Sequence, residues 1–535
     1  MSSNDPFRQP IDRRRFLQRA TALGLSFPAA TALLAACGGD NEAGEETQAS
    51  TALRFRLGSD ITMLDPAFFA NTSTDEPVMA PIFEGLVTYQ PHQDSFKVVN
   101  QLAESFEPVV DGLSFEFTLK QGVPFHGGYG EVTAEDVKFS YERLAGLTKP
   151  KIESPYGGDW AALKEVEVKD EYSGTIILKE PFSALMQSTL PVTSGYIVSK
   201  KAVEELGKKF NKNPIGTGPY EFVKWTPKQK VELKRFAEYG TGFTKAEWAT
   251  ITYLPIDEDN AGDIALETGE VDFARISLQS VDRFEGDDKF TTTSRTTLGY
   301  TWIGMNVLHP KLKDVNVRQA IRYAIDVPSM IEAAFEGHFE RANTIIPPDM
   351  GLGAWPDAPT YERDVAMSKD FLQRSGAGSL ELSFTYTEEP GASEVAEIAQ
   401  SNLAEVGIKL TLKKEDAGTY YELGKRLRER ELFWGWYETQ PDPSFSTVWF
   451  TSDQFDEWNW MYWSNERYDE LHLAALKEPD RQKRTEAYIE MQQVWDEAVH
   501  TVWLGWPTQH YAFKKEIEAA ITPHGRPLPQ AFRSV

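Results

Sequence analysis

Residues 431–463 read ELFWGWYETQPDPSFSTVWFTSDQFDEWNWMYW and hold six of the fourteen tryptophans: Trp434, Trp436, Trp449, Trp458, Trp460 and Trp463. Residues 432–437 form an apolar, aromatic run of strand length, and such a run belongs in the interior of a sheet. It breaks into Thr439-Gln440-Pro441-Asp442-Pro443, where the residue before each proline is held extended. A buried strand ending in a stiff loop of aromatic and polar groups is a common way to present a ligand site. A core strand with aromatic packing is the other reading, and for any single tryptophan it is the commoner one. Trp434 and Trp436 share parity along the strand and point the same way, so a core-facing side would remove both from a site together.

Outward from this stretch the chain alternates strand-like and helix-like segments. Residues 53–57, 114–119, 231–236, 302–306, 380–386 and 409–413 read as strands, with 502–504 as a last apolar strand. Residues 166–168 and 175–178 read as a hairpin. Helices are expected at 77–83, 261–270, 317–325, 393–406, 468–476 and 481–497. Thr133 and Asp136 have N-cap and third-position spacing for a helix running to about 144. The pattern is mixed α/β in at least two bodies, because 535 residues exceed a single core.

The formal charge is −26, which argues against nucleic acid and anionic lipid as partners. Near the N-terminus, Arg13 and Arg14 with Phe16 and Leu17 form a twin-arginine pattern. A short, interrupted apolar stretch follows, and then Leu34-Ala35-Ala36-Cys37, which looks like a bacterial lipobox. Residues 1–36 therefore read as a lipoprotein signal peptide and 37–51 as a flexible acidic tether. Cys37 would be the lipid-attachment site, holding the body at the outer face of a membrane in the cell envelope. Cys37 is also the single cysteine, so no intrachain disulfide or CxxC metal site exists.

Catalytic apparatus is not legible. The eight histidines are scattered, and neither HExxH nor GxSxG occurs, so no metal, cofactor or catalytic residue is expected. Any two of the 81 carboxylates could meet in space, so counting decides nothing about a glycosidase pair. Asn213-Pro214-Ile215-Gly216-Thr217-Gly218-Pro219-Tyr220 lacks the lysine of a phosphate loop and reads as a structural turn.

Several segments together resemble the extracellular solute-binding proteins of ABC importers, in the dipeptide, oligopeptide and nickel group. They are Gln101–Glu107, Gly112–Phe117 after Asp111, Gly122–Gly128 and Thr133–Val137. Leu64-Asp65-Pro66, Phe83–Leu86, Gly216–Tyr220, Val317–Ala320 and Tyr468–Leu471 also fit. The resemblance implies a two-lobed periplasmic-binding-protein-like α/β fold with a small α/β domain inserted in lobe I. Lobe I would be 52–82, 191–292 and 499–535, the inserted domain 83–190 and lobe II 293–498. It implies a monomeric binding protein, not an enzyme, that delivers a small solute, either oligosaccharide or peptide-like, to ABC permease subunits. A secreted lipoprotein hydrolase acting on saccharides is the alternative. Asp111-Gly112 would be a hairpin turn and His126 a satisfied structural side chain. In the peptide-binding members an aspartate three residues after the Gly-Trp dipeptide pairs with the peptide ammonium. Here that position is Thr439, which disfavours ordinary peptides and leaves Glu438 or Asp442 as substitutes. The expected ligand residues are Trp434, Trp436, Thr439, Asp442 and Trp449, with Tyr300 and Trp302 from the crossing segment.

Overall fold

The computed structural model describes residues 52–70, 72–109 and 112–535. The export signal with Arg13, Arg14, Phe16 and Leu17, the tether with Cys37, and Asp111 lie outside them.

The described chain builds two large mixed sheets, a smaller antiparallel one and two two-stranded ribbons, as the mixed α/β reading expected. In the seven-stranded sheet, Ala52–Leu57 runs parallel to both Thr250–Pro255 and Phe273–Arg275. Thr508–Lys514 lies between Phe273–Arg275 and Phe290–Thr296, while Lys230–Arg235 and Tyr220–Thr226 complete the other edge. In the six-stranded sheet, Leu432–Tyr437 is interior, antiparallel to Tyr300–Met305 and parallel to Leu380–Tyr386. Ile408–Lys414 flanks one side; Thr501–Trp506 and Glu340–Arg341 flank the other. Each large sheet has its own apolar core.

The interior strand is locked by ring-over-glycine pairing. Trp302 faces Gly435 across the ladder and Phe433 faces Gly304. A Cβ at 435 would sit 2.1 Å from Trp302 Cε2, and one at 304 would sit 2.1 Å from Phe433 Cζ. Only glycine leaves room for the opposing ring, which covers the bare backbone in return.

The chain crosses between the large sheets twice, after Thr296 and after Trp506, and the crossings lie side by side. The Thr297 N–H donates to the Pro507 carbonyl at 2.7 Å.

The third sheet orders Ala103–Pro108, Ser114–Leu119, Ser173–Leu178 and Leu163–Asp170, with helix Ala134–Leu144 against it and a separate core. That helix carries the expected capping box of Thr133 and Asp136. The helix expected at 77–83 is instead the five-residue Asp75–Met79. Pro81 has no N–H with which to extend the helical ladder, and the carbonyls of Pro81 and Ile82 accept instead from the N–H groups of Tyr220 and Gly218 at 3.0 and 2.9 Å. A Cβ at 216 or 218 would lie 2.0 or 2.3 Å from these carbonyls, so the glycine-rich loop is a packing turn. His126 is structural as well. Its Nε2 meets the Gly218 carbonyl at 2.8 Å, and burial pushes its pKa down to about 4.

Glu84 sits where the chain enters the small domain, beside the bridge between Gly85 and Tyr196. It is fully buried and accepts from Thr241 Oγ1 at 2.7 Å, Tyr239 O–H at 2.9 Å and Thr217 Oγ1 at 3.0 Å. Burial pushes its carboxyl up to about 7, and the hydroxyl bonds pull it only part of the way back. The folded chain therefore holds this proton to higher pH than the unfolded chain. The stability this provides is fully present below the unfolded pKa and is lost as pH rises through about 7. Glu84→Gln should gain on the parent between pH 5 and pH 8 by an amount on the order of 3 kcal/mol. Denaturant melts at the two pH values check this, and parallel pH profiles for both proteins would contradict it.

Candidate cleft between the two large sheets

Two cavities meet at Glu438, just past the end of strand Leu432–Tyr437. The first, about 170 Å³, lies at the carboxyl ends of the parallel strands Ala52–Leu57 and Phe273–Arg275, where open α/β sheets place ligands. Its far wall is the crossing at Thr297, Leu298 and Gly299 together with Glu438 and Thr439.

Most charges in this first cavity are already matched. Arg526 pairs with Glu76, which also accepts from Thr193 Oγ1 at 2.9 Å. Arg56 pairs with Asp259 at 2.8 Å. The exposed Arg275 and Glu438 are different: among the described residues neither takes part in a direct ion pair, and Glu438 feels Arg526 only through a longer-range attraction. His524 lines the same cavity, is buried, and among the described residues has no hydrogen-bond partner on either ring nitrogen. Burial holds it well below its usual pKa and therefore neutral, with one donor and one acceptor to offer.

The second cavity, about 470 Å³, belongs to the second large sheet. Tyr421, Trp436, Tyr437, Trp449 and Trp458 line it with Pro390, Glu389 and Glu438. Tyr437, Trp449 and Trp458 form a tilted and edge-to-face trio with centroids 5.6 to 5.9 Å apart.

Of the seven ligand residues expected from sequence, Trp436 and Trp449 line the second cavity and Thr439 the first. The other four line neither. Trp434 is buried on the Trp436 side of the strand and donates its indole N–H to Glu389 at 2.9 Å, supporting the cavity from behind. Tyr300 is buried and donates to the Ser446 carbonyl at 3.0 Å, and Trp302 is packed over Gly435. Asp442 is closed off completely, paired at 2.8 Å with Arg484, so it is a structural anion and no substitute for the ammonium anchor. Sequence reading missed Arg275, Glu389, Tyr421, His524 and Arg526. Only Trp458, inside the tryptophan-rich stretch, carried a signal for its position.

Among the described residues, no group of three or more His, Cys, Asp or Glu is placed to hold a metal ion. No described helix is long and apolar enough to cross a membrane.

Known proteins share both the sequence and this architecture. The chain is 29% identical to the glutathione-binding protein GsiB of Pectobacterium atrosepticum over 462 residues, covering 83% of this chain and 86% of that one. It superposes on HbpA2 from Haemophilus parasuis with a TM-score of 0.81 at 22% identity, over 90% of this chain and 100% of that one. A Helicobacter pylori periplasmic binding protein, ABC transporter-associated DppA in complex with the peptide STSA, matches with a TM-score of 0.73. The identity there is 22%, over 90% of this chain and 97% of that one. The sequence pattern described as "Bacterial extracellular solute-binding proteins, family 5 Middle" matches residues 97–458, well over half the chain. With that coverage, the chain belongs to the family 5 bacterial extracellular solute-binding proteins.

Proposed function

We propose that this protein is the extracytoplasmic solute-binding component of an ABC importer, closing two lobes over a peptide-like solute that carries both charges. The observation behind this is that Arg275 and Glu438, exposed on the same cavity, take part in no direct ion pair among the described residues. Closure that strips water from both is costly unless the solute brings a carboxylate for one and a cation for the other. A neutral oligosaccharide supplies neither, although its ring faces suit the tryptophans. The likeness to a glutathione-binding protein supports the same reading.

Lobe I is assigned to 52–82, 191–296 and 507–535, the inserted domain to 83–190, and lobe II to 300–506. The pairing of Phe290–Thr296 and Thr501–Trp506 in opposite sheets supports boundaries at the two crossings in place of 292/293 and 498/499. Cys37 anchors the body through lipid.

Calorimetry against a panel of di- and tripeptides, glutathione and oligosaccharides tests the solute class. A charged peptide-like solute should bind and lower the radius of gyration in small-angle scattering, and Arg275→Gln or Glu438→Gln should each weaken it at least tenfold. Binding of a neutral oligosaccharide, indifferent to both substitutions, would overturn the assignment. Cys37→Ser expressed beside the parent should leave the membrane fraction, and equal retention would remove the anchor.

A further inference from the structure

The second cavity carries a carboxylate, Glu389, that no cation in its walls balances. Glu389 is fixed by two neutral donors, Tyr421 O–H on Oε1 at 2.5 Å and the Trp434 indole N–H on Oε2 at 2.9 Å. Glu438 stands at the rim shared with the first cavity. No Lys, Arg or His lines the cavity, and among the described residues neither carboxylate is in an ion pair. The nearby cation of this lobe, Arg430, is occupied elsewhere. It pairs with Glu415 at 2.9 Å and stacks on Tyr420 and Trp460, 4.2 and 4.8 Å from their centroids.

The remaining surface is aromatic. Tyr421, Trp436, Trp449 and Trp458 are each only partly buried, so their rings remain available within one concavity. Aromatic faces carry the negative part of a quadrupole and attract cations that approach them. Two carboxylates and several ring faces therefore act in the same sense. A compact ammonium is strongly hydrated and loses that hydration among apolar walls. Guanidinium is held less tightly by water, and an alkylated ammonium presents methyl groups rather than N–H donors to the rings. A volume of about 470 Å³ lies in the range of small-ligand pockets.

We propose that this aromatic cavity of the second lobe is a cation subsite, taking an alkylated ammonium or guanidinium group of the solute between its rings and Glu389. The proposal rests on the reading that solute lies between the lobes, but the cavity is built by one lobe and should bind a fragment without closure.

Choline and its neutral isostere 3,3-dimethylbutan-1-ol, in which carbon replaces the charged nitrogen, provide the test. Each is titrated into the full chain at constant ionic strength, with tryptophan emission and calorimetry as readouts. Choline should saturate with a Kd in the millimolar range, and the isostere should bind at least tenfold more weakly. Glu389→Gln, checked for an unchanged melting profile, should weaken choline at least fivefold and leave the isostere unaffected. Equal binding of choline and the isostere would overturn the proposal, as would maltose changing the emission where choline does not. The first comparison needs no variant, so a folding defect in Glu389→Gln does not blunt it. Choline binding with no solute-induced compaction would sink the closure reading and leave the subsite standing. Compaction by a solute without choline binding would do the reverse.

Discussion

Asp442→Asn should destabilise the second lobe by about 3–5 kcal/mol, the usual cost of stranding one member of a buried ion pair. The pair is sealed: the Asp442 side chain is 0% exposed and that of Arg484 6%. Arg484 Nη2 donates to both carboxylate oxygens at 2.8 and 2.9 Å, and its Nε donates to the Ala475 carbonyl at 2.9 Å. Asp442 also accepts from the Ser444 N–H at 3.0 Å and Oγ at 2.7 Å. The pair thus fastens the proline-stiffened loop after the interior strand to helix Arg481–Glu497. Asparagine keeps the shape but leaves the guanidinium buried without its counter-charge. Denaturant unfolding followed by tryptophan emission reads the loss, and a midpoint within error of the parent would refute it. Replacing both partners, as in Asp442→Leu with Arg484→Met, should recover much of the stability, since apolar isosteres of buried pairs are often neutral or better. Solute affinity of the folded Asp442→Asn protein should be unchanged. An anchor for a solute ammonium would instead lose affinity before stability.

Gly435→Val should cost about 3 kcal/mol, at the upper end of overpacking penalties. Its Cβ falls 2.1 Å from Trp302 Cε2, inside the indole, and Trp302 has no free volume to retreat into because it is fully buried. Its ring is also within 6.2 Å, centroid to centroid, of Tyr300, Tyr437, Phe450 and Trp503. Tyr437 lines the aromatic cavity, so displacement of Trp302 should also perturb choline binding there. Gly158→Ala, where a new Cβ meets nothing within 4 Å, serves as the control and should be close to neutral. Equal melting temperatures for the two variants would show that the indole can move and that the ring-over-glycine contact is not a constraint.

The second-lobe wall was legible in the sequence because one contiguous aromatic segment supplies most of it. Strand Leu432–Tyr437 was placed correctly from composition and length alone, and its interior position follows from its apolar run. Which aromatic residues face the cavity was not legible. Tyr300–Met305 is buried at every position, so alternation no longer separates a core face from a site face. Asp442 shows another limit. A carboxylate in a proline loop looks the same whether its partner is a ligand or Arg484, 42 residues further on. The first-lobe wall is assembled from separated pieces that include Glu76, Thr193, Arg275, Tyr511, His524 and Arg526. None of these pieces has a periodicity or spacing that marks it. Strand Phe290–Thr296, missed from sequence, carries a run of Thr and Ser and is only partly buried, so its place is set by tertiary pairing.

The position of Thr508–Lys514 has a consequence for the order in which the molecule is made. This strand separates Phe290–Thr296 from Phe273–Arg275, so the seven-stranded sheet stays in two pieces until nearly the last residues are available. The six-stranded sheet needs nothing beyond Trp506, and its first and last strands, Tyr300–Met305 and Thr501–Trp506, are direct neighbours. Synthesis from the N-terminus therefore supplies a complete second lobe before the first can close, although the first lobe starts the chain. Strand Ala52–Leu57 must wait for partners that lie about 200 residues further on, in Thr250–Pro255 and Phe273–Arg275, a long-range pairing of the kind that slows folding. A nascent chain arrested shortly before residue 508 would carry a finished lobe II on a lobe I whose sheet edges remain open, the state most exposed to edge-to-edge aggregation.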